Sequence, residues 1–599
     1  MAITKTKFMN LIRCPKVASF MKMEEYQASM NYEEYHKEEL LEEEKEMDWE
    51  VKEIDVLLPY YNRVELEAGR IAKKYFDGTF LYAKDTKNQK RFTCYKNDIP
   101  YLCYVDIYNV GEMDKIIEVK ATTSNGYLSL GKKEKGKLIE PIFQKGEDGV
   151  YHLLEDFEKP IEFYMDKDLY EREKEKLIGR FSNLGHYIYD LAFQRWIIEQ
   201  TEKKERRYYL AVLNHAYEYD GTLKNGEPFY DTDSNGEELI VYFDFTNLTY
   251  ELQDLIKKDQ EKVERWIFNQ EIPHCPIGPY CEKGKRTECS YADICFKKIP
   301  EKNSVFSYLD SQHGFLLGSK KVSVYDLVSF GLVSIPQVPN SSLTRWKNIV
   351  QKEVVTTHKP YIDFEKLKKG FNQIKYPIYH LDFETFPCPL PRLKGESPYT
   401  QSVFQFSLHI ERKPGVCDKE KDHYGYLAPD LKDHRLDLVK SLIQLIDLKD
   451  CGTILVYNDT FEKSRLKELA HLYPEYQESL LQMREKIFDL MNLIKGNTKF
   501  YEQLGFDKET SKQFVFYDEK MNGSFSIKKV LPVFSKLTYE GMEVANGVDA
   551  SSTYALFDSF DDETYKRKYR KMIEYCKQDT WAMVEILKGL RKLEKEGSL

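Results

Sequence analysis

The alternation of apolar and polar residues predicts β-strands in two separate regions of the chain. In the first region, residues 104–108 and 115–120 alternate with the period of two that is typical of a strand buried on one face. The second region contains four predicted strands, at residues 376–384, 404–410, 424–427 and 453–457. The two groups are far apart in the sequence, so separate domains are expected.

Predicted helices border these strands. Residues 180–202 carry apolar side chains at helical spacing, and another helix is expected at about 434–447. The chain ends in a long helix with an apolar stripe of Ile573, Cys576, Met583, Leu587 and Leu590. Strands mixed with helices in this order predict an α/β fold. Residues 33–54 differ, because their many glutamates indicate a solvated helix face or an inserted hairpin.

The length of the chain requires more than one hydrophobic core. Domains usually contain about 100–200 residues, so 599 residues predict three or four of them. One domain is expected at residues 1–299 and another at residues 373–599. Residues 300–372 carry no chemical signature and are expected to form a mixed helical connector.

Composition and charge narrow the function classes. A 42% share of hydrophobic residues and a 31% share of charged residues are typical of a soluble globular protein. No apolar run approaches the roughly 20 residues of a membrane helix, and the N-terminus lacks a signal peptide, so a cytoplasmic location without membrane contact is expected. The net charge of −10 argues against a non-specific coat for nucleic acid, but a local basic groove is compatible with it. No Walker loop is present, so intrinsic helicase or ATPase activity is not indicated.

Four of the eleven cysteines are concentrated in one polar segment. Cys275, Cys281, Cys289 and Cys295 fall within 21 residues, whereas the others are scattered. Disulfide bonds are rare in the cytoplasm, so this concentration indicates a metal or iron–sulfur site. The alternative is a set of unrelated buried cysteines, which is unusual at this density in a polar loop.

The first candidate site combines Asp106, Glu118 and Lys120. Residues two apart on a strand share a face, so Glu118 and Lys120 project together while Ile117 and Val119 turn to the core. Asp106 is expected on the preceding strand, where it can meet Glu118. Two such carboxylates would bind Mg²⁺ or Mn²⁺, and Lys120 would orient water or neutralise the transition state. The alternative is a surface strand that carries a Glu–Lys pair.

Together with a glutamine on the predicted helix downstream, these residues resemble the PD-(D/E)XK nucleases of the RecB type, including their iron–sulfur members. The resemblance covers about residues 1–300 and implies a restriction-endonuclease-like domain. It implies catalytic residues at Asp106, Glu118, Lys120 and Gln194. In that family an upstream histidine often contributes to the metal site, and Glu67 is the nearest equivalent here.

The same resemblance assigns ligands to the cysteine segment. In the iron–sulfur members, one cysteine near the start of the domain joins three that follow its core. The matching residues imply a [4Fe–4S] cluster held by Cys14, Cys281, Cys289 and Cys295. Cys275 is then a spare thiol that can replace one of the four, and Zn²⁺ is the alternative to iron–sulfur.

A second candidate site lies in the C-terminal part of the chain. On the strand at 376–384, Asp382 and Glu384 point away from the apolar face. On the last helix, Tyr575 and Asp579 lie one turn apart on the same face. Carboxylates from both elements can therefore meet.

These residues resemble the motifs of the DEDD exonucleases of the tyrosine subclass, which belong to the RNase H-like (DnaQ-like) fold. The resemblance covers about residues 375–595. Glu462, four residues after Asn458, stands where the second motif has aspartate, and Asp459 and Asp489 are alternatives. Two Mg²⁺ or Mn²⁺ ions, about 3.5–4 Å apart, would be held by Asp382, Glu384, Glu462 and Asp579. Tyr575 would position the attacking water or help to deprotonate it.

The whole arrangement resembles a bacterial family that fuses a RecB-like nuclease to a DnaQ-like exonuclease, and residues 523–532 fit that pattern. It implies a nuclease with two active sites that cuts DNA, in single strands or from ends, in repair, recombination or defence. A helicase or defence partner is open. The alternatives are an RNA exonuclease and a nucleic-acid-binding scaffold with inactive sites. Lys528 and Lys529 either contact a phosphate backbone or face water at a helix start.

Overall fold

The structure is a computed structural model. It describes residues 2–21, 54–82, 89–268, 274–281, 289, 291–450 and 452–597. The glutamate-rich segment predicted at 33–54 lies outside these residues, apart from its last residue. The described part is a mixed α/β protein, as the sequence predicts, and its contacts divide it into two compact units.

The first unit comprises Met1–Cys275, Tyr280–Ala292 and Pro387–Thr400. Its helices are α1 (Lys5–Arg13), α2 (Lys16–Met21), α3 (Ile54–Ala72), α4 (Asn125–Leu128), α5 (Lys167–Ile178), α6 (Gly185–Thr201), α7 (Thr246–Glu251) and α8 (Gln253–Ile267). Its strands are β1 (Thr79–Tyr82), β2 (Lys90–Lys96), β3 (Ile99–Val105), β4 (Ile107–Val110), β5 (Asp114–Thr123), β6 (Gly131–Glu134), β7 (Lys137–Pro141), β8 (Phe143–Lys145), β9 (Tyr151–Leu153), β10 (Arg206–Leu213), β11 (Leu223–Lys224), β12 (Glu227–Pro228) and β13 (Ile240–Asp244).

Seven of these strands form one mixed sheet in the order β1-β4-β5-β10-β13-β9-β8. Val119, Ala211 and Tyr242 are register partners on neighbouring strands, so they share one face of the sheet. The Tyr242 hydroxyl donates a hydrogen bond to the Ala68 carbonyl of α3, which places α3 on that face. Because side chains alternate between faces, Glu118 points to the opposite face, where α6 packs on the core.

The second unit comprises Pro276–Pro279, Asp293–Phe386 and Gln401–Leu599. Its helices are α9 (Ala292–Phe296), α10 (Val324–Ser329), α11 (Trp346–Thr357), α12 (Phe364–Phe371), α13 (Arg435–Leu445), α14 (Asp459–Leu472), α15 (Gln477–Glu485), α16 (Thr498–Gln503), α17 (Lys508–Ser511), α18 (Ile527–Phe534), α19 (Gly547–Ala555) and α20 (Asp562–Glu596). Its strands are β14 (Phe315–Leu317), β15 (Lys320–Val322), β16 (Tyr361–Ile362), β17 (Ile378–Pro387), β18 (Gln401–Glu411), β19 (His423–Leu427), β20 (Thr453–Val456), β21 (Ile487–Asp489) and β22 (Phe516–Tyr517).

Five strands of this unit form a sheet in the order β19-β18-β17-β20-β21. β17, β20 and β21 run parallel, whereas β18 and β19 form an antiparallel pair at one edge. Parallel neighbours need a crossover, and α14 and α15 supply it between β20 and β21. Residues 300–372, the predicted connector, belong to this unit and contain the hairpin β14–β15 as well as α10 and α11.

The last helix, α20, is long and capped at its start. The Asp561 side chain accepts hydrogen bonds from the backbone N–H groups of Glu563 and Thr564, which satisfies two donors that a helix start otherwise leaves unpaired. The buried side of α20 includes four residues of the predicted apolar stripe, Cys576, Met583, Leu587 and Leu590, which confirms this helix and its orientation. Within the described ranges, none of the helices combines the length and the apolar character needed to cross a membrane.

Candidate functional site

Strand β17 and helix α20 bring two carboxylates and a thiol together in the second unit. On β17, the core side chains Leu381 and Phe383 alternate with Asp382 and Glu384. The Cys576 thiol of α20 donates toward Asp382, with 3.6 Å between Sγ and Oδ2. The ligand atoms of Asp382, Glu384 and Cys576 lie within 4.8 Å of one another, and no other trio of His, Cys, Asp or Glu residues in the described ranges does so.

Two further carboxylates, Asp579 and Glu462, lie near this trio, although neither completes another trio of that spacing among the described residues. Asp579 follows Cys576 by three residues on α20, so both lie on one helix face. Glu462 lies near the start of α14. The charges of Asp579 and Glu462 act on both Asp382 and Glu384. We call Asp382, Glu384, Glu462 and Asp579 the carboxylate cluster.

The turn before α14 determines which acid joins the carboxylate cluster. Asn458 has a left-handed φ of 75°, which asparagine tolerates better than most residues, and its N–H donates to Asp489 Oδ1 at 3.0 Å. Asp459 forms an ion pair with Lys463. Glu462 is only 2% exposed, and its Oε2 has no hydrogen-bond partner in the part of the chain that the structure describes. Of the three acids considered from the sequence, Glu462 is therefore the one whose carboxylate remains available.

Burial raises the pKa of every carboxyl in the cluster. Burial and the charge of Asp579 raise the pKa of Asp382 and of Glu384 well above the usual range. Burial also raises the pKa of Glu462 to about 8 and that of Asp579 to about 6. None of the ion pairs formed between described residues includes one of these four acids. Such a group needs protons or a cation to neutralise it.

Two tyrosines hold Asp579 in position. The Tyr539 hydroxyl donates to Asp579 Oδ1 at 2.6 Å, and Tyr575, one turn earlier on α20, also hydrogen-bonds to this carboxyl. Both bonds favour the charged form of Asp579 and partly offset the rise in its pKa on burial. Burial and the neighbouring acids raise the pKa of Tyr575 well above its usual range. The Tyr575 hydroxyl therefore keeps its proton at neutral pH and acts as a donor.

Lys528 and Gly547 lie at the accessible side of the carboxylate cluster. The Lys528 side chain is exposed, and its Nζ donates to the Ala545 carbonyl at 2.8 Å. Its charge partly offsets the rise in the pKa of Glu384 and of Asp579. A Cβ at Gly547, the first residue of α19, would lie 3.5 Å from Glu384 Oε2. An exposed lysine beside buried carboxylates suits an anionic ligand such as a phosphate.

In the first unit, Glu118 is surrounded by cations from the chain itself. Its Oε1 lies 2.9 Å from Lys120 Nζ and 3.1 Å from Lys5 Nζ, and Gln194 Nε2 donates to Oε2. Burial on its own would raise the pKa of Glu118, but the two lysines lower it to about 2. We call Lys5, Glu118, Lys120 and Gln194 the lysine-paired cluster.

Asp106 and Glu67 lie at different places relative to this cluster. Asp106 was expected on a strand, but the chain bends at this residue between β3 and β4. The bend occurs because β3 pairs with β2, whereas β4 pairs with β5. Its Oδ2 accepts a hydrogen bond from the Val119 N–H at 2.8 Å, directly after Glu118. Glu67 lies on α3, which covers the other face of the sheet, and forms an ion pair with Arg70. The structure thus places Asp106 beside Glu118 and keeps Glu67 apart from it.

Cys14 lies beside Cys275, the thiol that the sequence leaves as a spare. The two side chains hydrogen-bond, and burial together with Cys275 raises the pKa of Cys14 to about 11. Cys281 ends a short 3₁₀ turn, Cys289 precedes α9, and Cys295 lies on α9. The cysteines of the described ranges form no disulfide. Cys275 is therefore as much a candidate ligand as the three cysteines that follow it.

Sequence reasoning missed Lys5 of the lysine-paired cluster and two residues that contact the carboxylate cluster, Tyr539 and Cys576. Lys5 lies 113 positions from Glu118, and Tyr539 lies 40 positions from Asp579, so no local motif contains either pair. Cys576 carried a usable signal, because a residue three positions before Asp579 on a helix shares its face.

The chain is similar to known proteins over part of its length. Residues 379–526, about a quarter of the chain, match a domain of unknown function, DUF2779. The chain is 24% identical over 349 residues to the uncharacterized protein UU173 of Ureaplasma parvum, which covers 55% of this chain and 47% of that protein. It is 25% identical over 264 residues to the uncharacterized protein MG366 of Mycoplasma genitalium, which covers 41% of this chain and 37% of that protein. The chain thus spans less than half the length of these relatives, and no solved structure matches it.

Proposed function

We propose that this chain is a metal-dependent nuclease whose second unit hydrolyses phosphodiester bonds, with DNA as the preferred substrate. The observation that carries the proposal is the grouping of three buried carboxylates, Glu384, Glu462 and Asp579, with the partly buried Asp382, none of them in an ion pair among the described residues. The motifs that supply them resemble those of the DEDD exonucleases, and each comes from the expected kind of element: β17, the start of α14, and α20. An RNase H-like exonuclease fold is proposed for this unit.

The donor set of the carboxylate cluster fits divalent cations. Oxygen ligands are what Mg²⁺ prefers, and the ligands would be Asp382, Glu384, Glu462 and Asp579. The unpartnered Oε2 of Glu462 leaves one buried acceptor for such an ion. When bound, divalent ions supply charge stabilisation at the phosphate and a more acidic water.

Other residues of the site would bind and orient the substrate. Tyr575 keeps its proton, so it would not deprotonate the attacking water; its oxygen would orient that water by accepting a hydrogen bond while the hydroxyl donates to Asp579. Tyr539 would hold Asp579 in the charged form. Lys528 would bind a phosphate from the exposed side.

The lysine-paired cluster is a second candidate nuclease site. The observation that favours it is the meeting of Glu118, Lys120 and Gln194, with Asp106 bonded to the next residue of β5. This set resembles the RecB-like site, and a [4Fe–4S] cluster or Zn²⁺ at Cys14, Cys281, Cys289 and Cys295 belongs to the same proposal. Lys5 lies 3.1 Å from Glu118 Oε1, so a metal ion at Glu118 requires Lys5 to move.

The test is cleavage of 5′- and 3′-labelled single- and double-stranded DNA and RNA by anaerobically purified protein with Mn²⁺. Wild type is compared with Glu384→Gln, Lys120→Met, the double variant, and Glu365→Gln as an exposed control from the same unit. We expect Glu384→Gln to lower the exonuclease rate by about a thousandfold or more, which corresponds to about 4 kcal/mol of transition-state stabilisation. Lys120→Met should remove a different set of products, and the control should cleave normally.

The outcomes separate the alternatives. Cleavage of RNA alone would reassign the substrate. Failure of metal-loaded wild type to cleave any of these substrates would overturn the nuclease proposal and leave a nucleic-acid-binding scaffold.

A further inference from the structure

We infer that Cys576 is itself a metal ligand, and that the ion held by Asp382, Glu384 and Cys576 is a transition metal that accepts sulfur, such as Zn²⁺ or Co²⁺. The inference rests on the proposed function, because it concerns the metal site of that function. It adds a donor that the carboxylate motifs do not contain, and it changes the kind of ion that the site selects.

The position of the thiol matches that of a ligand. Cys576 is fully buried, and its Sγ lies 3.6 Å from Asp382 Oδ2. With a Zn–S bond of about 2.3 Å and a Zn–O bond of about 2.1 Å, tetrahedral geometry separates the two ligand atoms by about 3.6 Å. Glu384 offers a third ligand atom within 4.8 Å of the other two. One small ion can therefore contact Asp382 and Cys576 as they stand, and Glu384 can reach it by a rotation of its side chain.

A second observation concerns a buried carboxyl at the site, Glu462, that forms no ion pair among the described residues. The Glu462 carboxyl is 2% exposed, its Oε2 has no hydrogen-bond partner among the described residues, and its charge acts on Asp382 and Glu384. If Cys576 only filled space in the core, nothing at the site would neutralise Glu462 Oε2. An ion beside Cys576 would be attracted by Glu462 as well as by its direct ligands.

The chemistry of the donors then decides the class of ion. Thiolate ligands favour Zn²⁺ and similar transition metals, whereas Mg²⁺ prefers an all-oxygen set. A coordinating cysteine binds as the thiolate, so formation of the metal–sulfur bond releases the thiol proton to solvent. The mixed set of Asp382, Glu384 and Cys576 should therefore bind Zn²⁺ or Co²⁺ more tightly than Mg²⁺.

The test is Co²⁺ titration of the metal-free full-length protein, followed by absorption spectroscopy, because a cobalt–thiolate bond has a charge-transfer band in the near ultraviolet. Wild type is compared with Cys576→Ser, Cys576→Ala, Asp382→Asn and Cys417→Ser, the last being a cysteine of the same unit outside the site. The other cysteines contribute the same background to every sample. We expect the absorbance of this band to fall by the same amount in the Cys576 and Asp382 variants and to be unchanged in Cys417→Ser.

Zn²⁺ affinity, measured by calorimetry on the same proteins, should fall on the order of tenfold or more in Cys576→Ser. Circular dichroism checks that each variant is folded, and Cys576→Ala removes the ligand without adding a hydroxyl to the core. If wild type and both Cys576 variants bind Co²⁺ with identical spectra, and Asp382→Asn weakens that binding, the inference is overturned while the proposed metal site stands. If Asp382→Asn changes neither Co²⁺ nor Mn²⁺ binding, the inference and the proposed function both fail.

Discussion

The two units both place acidic side chains on a strand against a helix, but they neutralise the acids differently. Glu118 in the first unit has Lys120 and Lys5 within 3.1 Å of its carboxylate, and these cations outweigh the effect of burial and lower its pKa to about 2. Asp382 in the second unit has three acidic neighbours, and its pKa is raised well above the usual range. An acidic motif alone therefore does not indicate a metal site, since the fold decides whether the countercharge comes from lysine or has to be supplied by an ion.

The largest expected effect is the loss of stability when Glu118 is replaced. Glu118→Gln removes the carboxylate nearest to the buried Lys5 and Lys120, and the next acid, Asp190, lies 3.7 Å from Lys5 Nζ. Removal of one partner of a buried ion pair costs about 3–5 kcal/mol, and the free energy of unfolding by urea should fall by that amount. Glu365→Gln, at an exposed position, should change it by less than about 0.5 kcal/mol. If the free energy of unfolding falls by less than about 1 kcal/mol in Glu118→Gln, the lysines do not need Glu118 for their burial. The proposed difference in how the two units neutralise their acids would then be wrong.

A smaller effect is expected when Mn²⁺ is added at concentrations too low to displace Lys5 from Glu118, so that only the second unit responds. A ligand at a hundred times its Kd stabilises the folded state by about 2.7 kcal/mol. Hydrogen exchange resolved by peptide should show slower exchange in β17 and α20 and no change in β5. Asp382→Asn should abolish the protection, while Lys120→Met should leave it intact in the second unit. Equal protection of β5 in wild type would mean that the lysine-paired cluster also binds the ion.

The pH dependence of stability should have opposite signs in the two units. The folded pKa of Glu118, about 2, lies below its ordinary value of 4.5, so its contribution is present above pH 4.5 and is lost as the pH falls toward 2. The folded pKa of Glu462, about 8, lies above 4.5, so stability is lost as the pH rises from 4.5 toward 8. With a chelator present, the second unit should lose on the order of 3 kcal/mol of unfolding free energy between pH 5 and pH 8.

Hydrogen exchange at several pH values measures how the local stability of each unit depends on pH, in one sample. Glu462→Gln should reduce the loss of stability in the second unit, where Asp382, Glu384 and Asp579 still titrate with raised pKa values, and it should not alter exchange in β5. A second unit whose stability is constant between pH 5 and pH 8 in chelator would contradict the raised pKa of Glu462.

The sequence predicted the local part of both clusters. Asp382 and Glu384 alternate with core residues, and Tyr575 and Asp579 share a helix face, because strand and helix periods are local properties. The mixed α/β class and the long last helix follow from the same patterns and are confirmed. These patterns say where a side chain points along its own element, but not what meets it.

Contacts between distant segments could not be predicted in this way. Lys5 reaches Glu118 from a helix 113 positions away, and only the packing of α1 on the core brings it there. Asp106 was expected on a strand, but the chain changes partner strands at that residue and bends. Glu67 has the right residue type, yet α3, the helix that carries it, packs on the face of the sheet opposite Glu118. In each case the tertiary arrangement overrides the local pattern.

The smallest expected effect separates the two tyrosines that contact Asp579. Tyr539→Phe removes the hydrogen bond to Asp579 Oδ1 while keeping the ring, so the charged form of this carboxyl becomes less favourable. Loss of such an outer contact should weaken Mn²⁺ binding by about tenfold, or about 1.4 kcal/mol. Tyr457→Phe, which removes a hydroxyl bonded only to the Phe525 carbonyl in the described contacts, is the matched control and should bind normally.

Tyr575→Phe should instead lower the cleavage rate more than it lowers Mn²⁺ affinity, because its hydroxyl is proposed to orient the water. If Tyr539→Phe and Tyr575→Phe lower Mn²⁺ affinity and cleavage rate by the same factors, the two tyrosines share one role. The polar residues around Asp579 would then only hold a carboxylate in place, as Lys5 and Lys120 do for Glu118 in the first unit.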